Sequence, residues 1–177
     1  MKADILILDI PPRKSIGLMH KIRKIHRNVF ILFIQDSFYF SDYVVCLYFG
    51  WSGMKECSER IDITSGLNLI TYISSNEYMQ VYACPRVIDK EEKEEDTICN
   101  IRSFLYDRLS WIVDSKTQRH IIIESANRER VHEISKRLGV SSQLIYRYKF
   151  KMNNIFNLKK SNELIYSFEL MISELTD

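Results

Sequence analysis

Cysteine is scarce in this chain, with four residues among 177, and so are glycine and proline, with five and three. Cys46, Cys57, Cys84 and Cys99 have neither the close pairing of a zinc site nor the density of a disulfide-stapled secreted domain. They read as reduced, structural thiols. His20, His26, His120 and His132 form no ligand-spaced cluster with them, so neither a metal nor another cofactor is expected. No apolar run approaches the roughly 20 residues that a membrane helix requires, and no cationic, apolar leader opens the chain. No membrane partner is expected. A nucleophile with a neighbouring base is also missing, which argues against an enzyme, and no internal repeat stands out.

What is present is a segregated charge distribution. The net charge is only +2, yet Lys116, Arg119, Arg128, Arg130, Lys136, Arg137, Arg147, Lys149, Lys151, Lys159 and Lys160 face only Glu124, Glu129 and Glu133 over one stretch. A cationic segment in a nearly neutral chain is the footprint expected of a nucleic-acid partner.

Within that stretch two short helices are expected across a glycine turn. Val131, Ile134 and Leu138 recur at three- and four-residue spacing and give the first helix an apolar face. Gly139 tolerates the left-handed backbone that a tight C-cap needs, and Ser141 or Ser142 follows where a hydroxyl caps the next helix. From Gln143 onward Ile145, Phe150 or Met152, and Phe156 pack inward. Gln143, Tyr146, Arg147, Lys149 and Lys151 are left on the exposed side. Arg and Gln are suited to base edges in the major groove, Lys and Tyr to phosphates. Lys136, Arg137, Lys151 and Lys159 are the expected phosphate contacts. The bland alternative is the solvated face of a helical bundle.

The stretch resembles the LuxR/FixJ-type helix-turn-helix. Ile134-Ser135-Lys136-Arg137-Leu138 stands for its Ile-Ala-x-x-Leu helix, Val140-Ser141 for its turn, Leu144 to Tyr148 for its Thr-Val-x-x-His recognition segment, and Asn162-Glu163-Leu164 for its closing run. The likeness reaches back to about Asp114, with Ile121, Ile122 and Ser125 in the apolar places of the first helix. It departs from the family's pattern at Gln118, Leu144, Tyr148 and Ile155-Phe156. The resemblance implies a bacterial, cytoplasmic transcription regulator that binds double-stranded DNA.

The N-terminal half reads as strand, helix, strand: Ala3–Asp9, which ends in a carboxylate, and Val29–Ile34 are apolar runs, and Ile16, Met19, Ile22 and Ile25 lie between them among Lys21, Arg23, Lys24 and Arg27. A parallel sheet follows. This half resembles the later part of a response-regulator receiver domain, with Asp9 at the phospho-acceptor position and Gly17 at a family glycine. Gly50-Trp51-Ser52-Gly53 stands at the step before the last strand, and Leu67–Ile73 at the closing helix. The family's magnesium-binding acidic pair lies on a strand before the phospho-acceptor one, where this chain has no counterpart. Ile34 replaces the switch hydroxyl, the final-strand Lys falls on Cys57, and Lys55 is out of register. Asp9 is therefore read as a degenerate phospho-acceptor.

The fold expected is a partial receiver-like α/β sheet followed by an all-α helix-turn-helix domain. The boundaries expected are 1–86 for the first, 87–107 for a charged linker and connecting helix, and 108–177 for the second. The run Asp89–Asp96 reads as a solvated linker or helix start. The aromatic stretch from Phe38 to Trp51 serves as core or as a dimerisation surface. A DNA-binding homodimer, a modulator heterodimerising with a full-length relative, and an inactive remnant are the three functional readings.

Overall fold

The structure is a computed structural model describing residues 5–56, 79–81, 84–156 and 158–172. Its elements divide between two compact units. The first comprises Met1–Phe38 and Val45–Ile98, the second Tyr39–Val44 and Cys99–Asp177.

The first unit is built on a sheet in the order β1 (Ile5–Leu8), β2 (Phe30–Gln35), β3 (Ser52–Glu56) and β4 (Met79–Val81). The first three strands are parallel and β4 is antiparallel. An α/β start with a parallel sheet was legible, but β4 was not, because three residues are too few to show alternation. β2 lies between β1 and β3, and its Ile31, Leu32 and Phe33 are buried. Helix α1 (Ile16–Ile25) and the first β-strand are joined by a Pro12–Lys14 turn of 3-10 type.

The buried face of α1 differs from the expected one. Ile16, Met19, His20 and Arg23 are buried, whereas Ile25 is 73% exposed. Residues spaced by three drift about 60° per step around a helix, so Ile25 comes out opposite Ile16. The spacing 16, 19, 20, 23 keeps to one face, and it brings an arginine inside. Arg23 has no exposure. Its guanidinium donates to the carbonyls of Val29 at 2.7 Å, Gly50 at 2.7 Å and Trp51 at 3.1 Å, and more distantly to Phe49 and Arg27. Desolvation pulls its pKa down to about 10, with Cys46 opposing, so the charge persists at neutral pH. Gly50 and Trp51 both have positive φ, 66° and 45°. Arg23 thus ties α1 to the strained turn that launches β3 through the carbonyls it collects.

The register also revises one expectation. Leu8 pairs with Phe33 and Phe33 with Met54, and the next row holds Ile34 and Lys55, with Asp9 one residue past β1. Lys55 is therefore in line with Ile34 rather than out of register, and it is buried at 4% exposure. The pairing is set by backbone hydrogen bonds, which counting along a motif does not reveal. Cys57 and Leu67–Ile73 lie outside the described residues.

The charged run is mostly exposed, yet it is tied to α1. Lys24 Nζ donates to the carbonyls of Lys90 at 3.0 Å and Glu92 at 2.6 Å. Thr97 donates to Glu92 Oε1 at 2.8 Å, so its hydroxyl is the acceptor for His20 Nδ1 at 2.7 Å, which fixes that ring nitrogen as protonated. The Glu94 carboxylate occupies the place where a side chain on Gly17 would project.

The run also opens helix α3 (Glu94–Ile112), whose first turn carries Glu94, Glu95 and Asp96, the charge a helix N-terminus favours. Helix α2 (Phe40–Phe49) and α3 each contribute to both units. Most of the aromatic stretch in and around α2 is core: Phe38, Val44, Val45, Cys46, Tyr48 and Phe49 are buried, while Leu47 and Trp51 are exposed.

The second unit is helical: the Cys99–Ile112 part of α3, then α4 (Lys116–Ala126), α5 (Val131–Leu138), α6 (Ser142–Ile155) and α7 (Leu164–Ile172). It begins before residue 108 because Leu105 and Leu109 are fully buried in its core with Val44, Ile122, Met152, Leu164 and Phe168. Phe40, Phe156 and Phe168 stack there with ring centroids 5.1 to 5.7 Å apart. No described helix is long and apolar enough to cross a membrane.

Replacing Arg23 by Met leaves the Val29 and Gly50 carbonyls without that donor, at an expected cost of about 2–4 kcal/mol. Urea unfolding of the full chain measures it, and an unchanged midpoint would refute the clamp.

Candidate nucleic-acid interface

The arrangement of α4, α5 and α6 begins with one residue from each. Ile121, Ile134 and Ile145 have no exposure and meet in a single cluster, flanked by Val131, Leu138, Val140 and Tyr148. Helix α4 lies against α5, α6 and α7 alike and so acts as the scaffold for the others. Its start is capped by Ser115, which accepts from the Gln118 N–H.

The turn between α5 and α6 is closed by several local bonds. Gly139 adopts φ 65°, ψ 30°, and its N–H donates to the Ser135 carbonyl. The Val140 N–H reaches the same carbonyl at 3.2 Å, while the Ser135 hydroxyl donates back to the Val140 carbonyl at 2.6 Å. Ser141, not Ser142, caps α6 by accepting from the Leu144 N–H at 3.2 Å. At the other end of α5, the Glu133 carboxylate accepts from the Arg130 backbone N–H, which holds its pKa below the usual carboxylate range. The glycine and serine were legible in the sequence; the contribution of Ser135 was not, because a mid-helix serine carries no distinctive signal.

This geometry fixes which way α6 faces. Ile145 and Met152 are buried, seven residues and nearly two turns apart. Of the inward alternatives it is therefore Met152 that packs, and Phe150 points out, 69% exposed. Gln143, Tyr146, Arg147, Lys151 and Asn154 are exposed as well. Lys149 is half-buried and follows Ile145 by one turn, which puts it on the flank of α6 away from Arg147. An open groove of about 500 Å³ runs along this face, lined by Gln118, Leu144, Arg147, Tyr148, Phe150, Lys151 and Asn154.

The cations of the segment have separate tasks. Arg137 bridges Glu124 at 2.9 Å and Glu129 at 3.4 Å, locking α5 to α4 and the turn that follows it. Arg119 donates to the carbonyls of Val113 and Asp114, closing the C-terminal end of α3. These two are engaged within the unit. Arg147 and Lys151 hold no ion pair among the described residues, and Lys136 and Lys159 are exposed. Local net charge is therefore concentrated on the outer side of α6 and the segments beside it.

In the first unit, exposed Asp9 accepts from Gln35 Nε2 at 3.1 Å, and Ile34, at the position expected for a switch hydroxyl, is buried. Among the described residues no three His, Cys, Asp or Glu side chains converge on a metal-sized site. Cys46 is buried, and Cys84 and Cys99 are exposed free thiols. Comparison with protein-family models, with curated proteins and with solved structures returns no match for this chain.

Gly139→Ala is expected to destabilise the helical unit by about 1 kcal/mol, purely through the left-handed backbone, since no atom lies within 4 Å of the added methyl group. Thermal unfolding by circular dichroism tests it, with Gly139→Asn expected to cost less. Equal stability of the alanine variant and the parent would contradict the turn geometry.

Proposed function

We propose that this chain is a DNA-binding transcription regulator of the LuxR/FixJ type, with α6 as its recognition helix. One observation carries the reading. Beyond a left-handed glycine turn, an apolar cluster turns a helix so that Gln143, Tyr146, Arg147 and Lys151 stand outward in the most cationic part of the chain. Such a helix fits the major groove, where guanidinium and carboxamide groups read base edges and lysines sit on phosphates. The succession of scaffold helix, α5, turn, α6 and closing helix α7 supports the same family resemblance.

In this reading Arg147 and Gln143 contact bases, and Lys136, Lys151 and Lys159 contact phosphates. Tyr146 positions the helix beside them. Lys149 adds charge from the flank, and Arg137 serves by bracing α5. The parallel sheet with Asp9, Ile34 and Lys55 at its C-terminal end supports a receiver-like first unit. Ile34, having no hydroxyl, favours regulation without phosphorylation of Asp9. Two copies side by side would present two α6 helices to half-sites one turn of DNA apart.

The edge strand β1 favours a second reading, a modulator that pairs with a related chain. Among the described residues β1 has a strand on one side only, and Ile5 is 54% exposed. Co-purification of the tagged chain with no relative would count against it.

Arg147→Ala should weaken binding to a preferred duplex by about 1–3 kcal/mol and relax preference at one position. Lys151→Ala should weaken binding to all duplexes alike and reduce the slope of log K against log salt by about 1. Fluorescence anisotropy across a salt series reads both. A folded protein that binds no duplex even at low salt would sink the DNA reading.

A further inference from the structure

The outward face of α6 carries more apolar surface than phosphate contacts require. Gln143, Arg147, Phe150 and Asn154 follow at intervals of four, three and four residues, so they form one stripe along the helix. In the middle of that stripe Phe150 is 69% exposed, and Tyr146 beside it is 61% exposed. Phe150 lines the open groove together with Leu144, and Arg147 and Lys151 flank them. An apolar patch between two cations is poorly suited to phosphate oxygens. In the major groove one base presents an apolar group at its edge, thymine with its C5-methyl, and phenylalanine is among the side chains that meet it.

We propose that Phe150 is a specificity residue that packs against a thymine methyl group, so that α6 selects sites containing A·T pairs. This rests on the DNA-binding reading above and adds a sequence preference to it. The other members of the stripe fit the same site. The carboxamides of Gln143 and Asn154 match the N6 and N7 pair of adenine, and Arg147 matches guanine. Phe150 stands three residues beyond Arg147, about 4.5 Å along the helix axis. The thymine therefore lies one or two base pairs from the base that Arg147 contacts, given a base step of about 3.4 Å.

The experiment uses the full chain. Duplexes enriched from a randomised pool are resynthesised with thymine or with deoxyuridine, which differ only in the methyl group, and binding is followed by fluorescence anisotropy. Wild type should bind the thymine duplex about 4-fold more tightly for each methyl group covered, as expected for burying one such group. Phe150→Ala should bind both duplexes equally, and Phe150→Leu should retain part of the difference. Because Phe150 is exposed, neither substitution should alter the helical circular dichroism spectrum.

Tight, salt-sensitive binding with no difference between thymine and deoxyuridine would overturn the thymine contact and leave the DNA reading standing. So would a difference that persists in Phe150→Ala, or a pool that enriches no A·T pair near the Arg147 position. Failure to bind any duplex would overturn both at once.

Discussion

Three isoleucines, one each from α4, α5 and α6, determine what this protein can present to a partner. Their burial fixes the rotation of α6 about its own axis, because a helix with Ile145 and Met152 turned inward has no freedom over what it turns outward. Gly139 fixes the angle between α5 and α6, and Ser135 and Ser141 satisfy the polar groups that the turn exposes. Apolar packing of this kind is non-directional, so the hydrogen-bonded turn supplies the geometry that burial alone would leave loose. The outward face of α6 is thus a consequence of side chains buried beneath it.

The same division appears among the charges. Arg137 and Arg119 are committed to internal acceptors, while Arg147 and Lys151 are not ion-paired among the described residues. A residue list drawn from charge alone treats these arginines as equivalent. The structure separates those that brace the helices from those that remain for a partner. The Arg137 bridges join α5 to α4 and to the segment after it, and so reinforce the orientation that the isoleucines set.

How far the sequence reveals each part depends on how local its cause is. The two helices and the glycine turn between them were legible because their signals lie within a few residues of one another: a glycine at a left-handed cap, a serine one turn before the N–H it accepts, an apolar spacing close to 3.6. The half-buried flank of Lys149 and the exposed Phe150 needed the rotation of α6, which Ile145 and Met152 decide together across nearly two turns. The first unit was less transparent. Arg23 reads as a surface cation until the tertiary fold brings Val29, Gly50 and Trp51 around it, and β4 leaves no periodicity in three residues. Likewise, the acidic run from Asp89 has the composition of a linker, and only its carbonyls, taken up by Lys24, show that it is tied to α1.

The helical unit takes part of its core from a distant stretch of sequence. Phe40 and Val44 pack with Phe156, Phe168 and Leu109, the Ser41 hydroxyl donates to the Tyr166 carbonyl, and the residues between belong to the sheet unit. The helical unit is therefore not a cassette that evolution or a cloning scheme can lift out at one cut. Its last packing partners leave the ribosome long before the helices they complete, so the chain must close a large loop before the aromatic cluster forms. Sheet and helices are bound into one folding history, whatever their separate tasks.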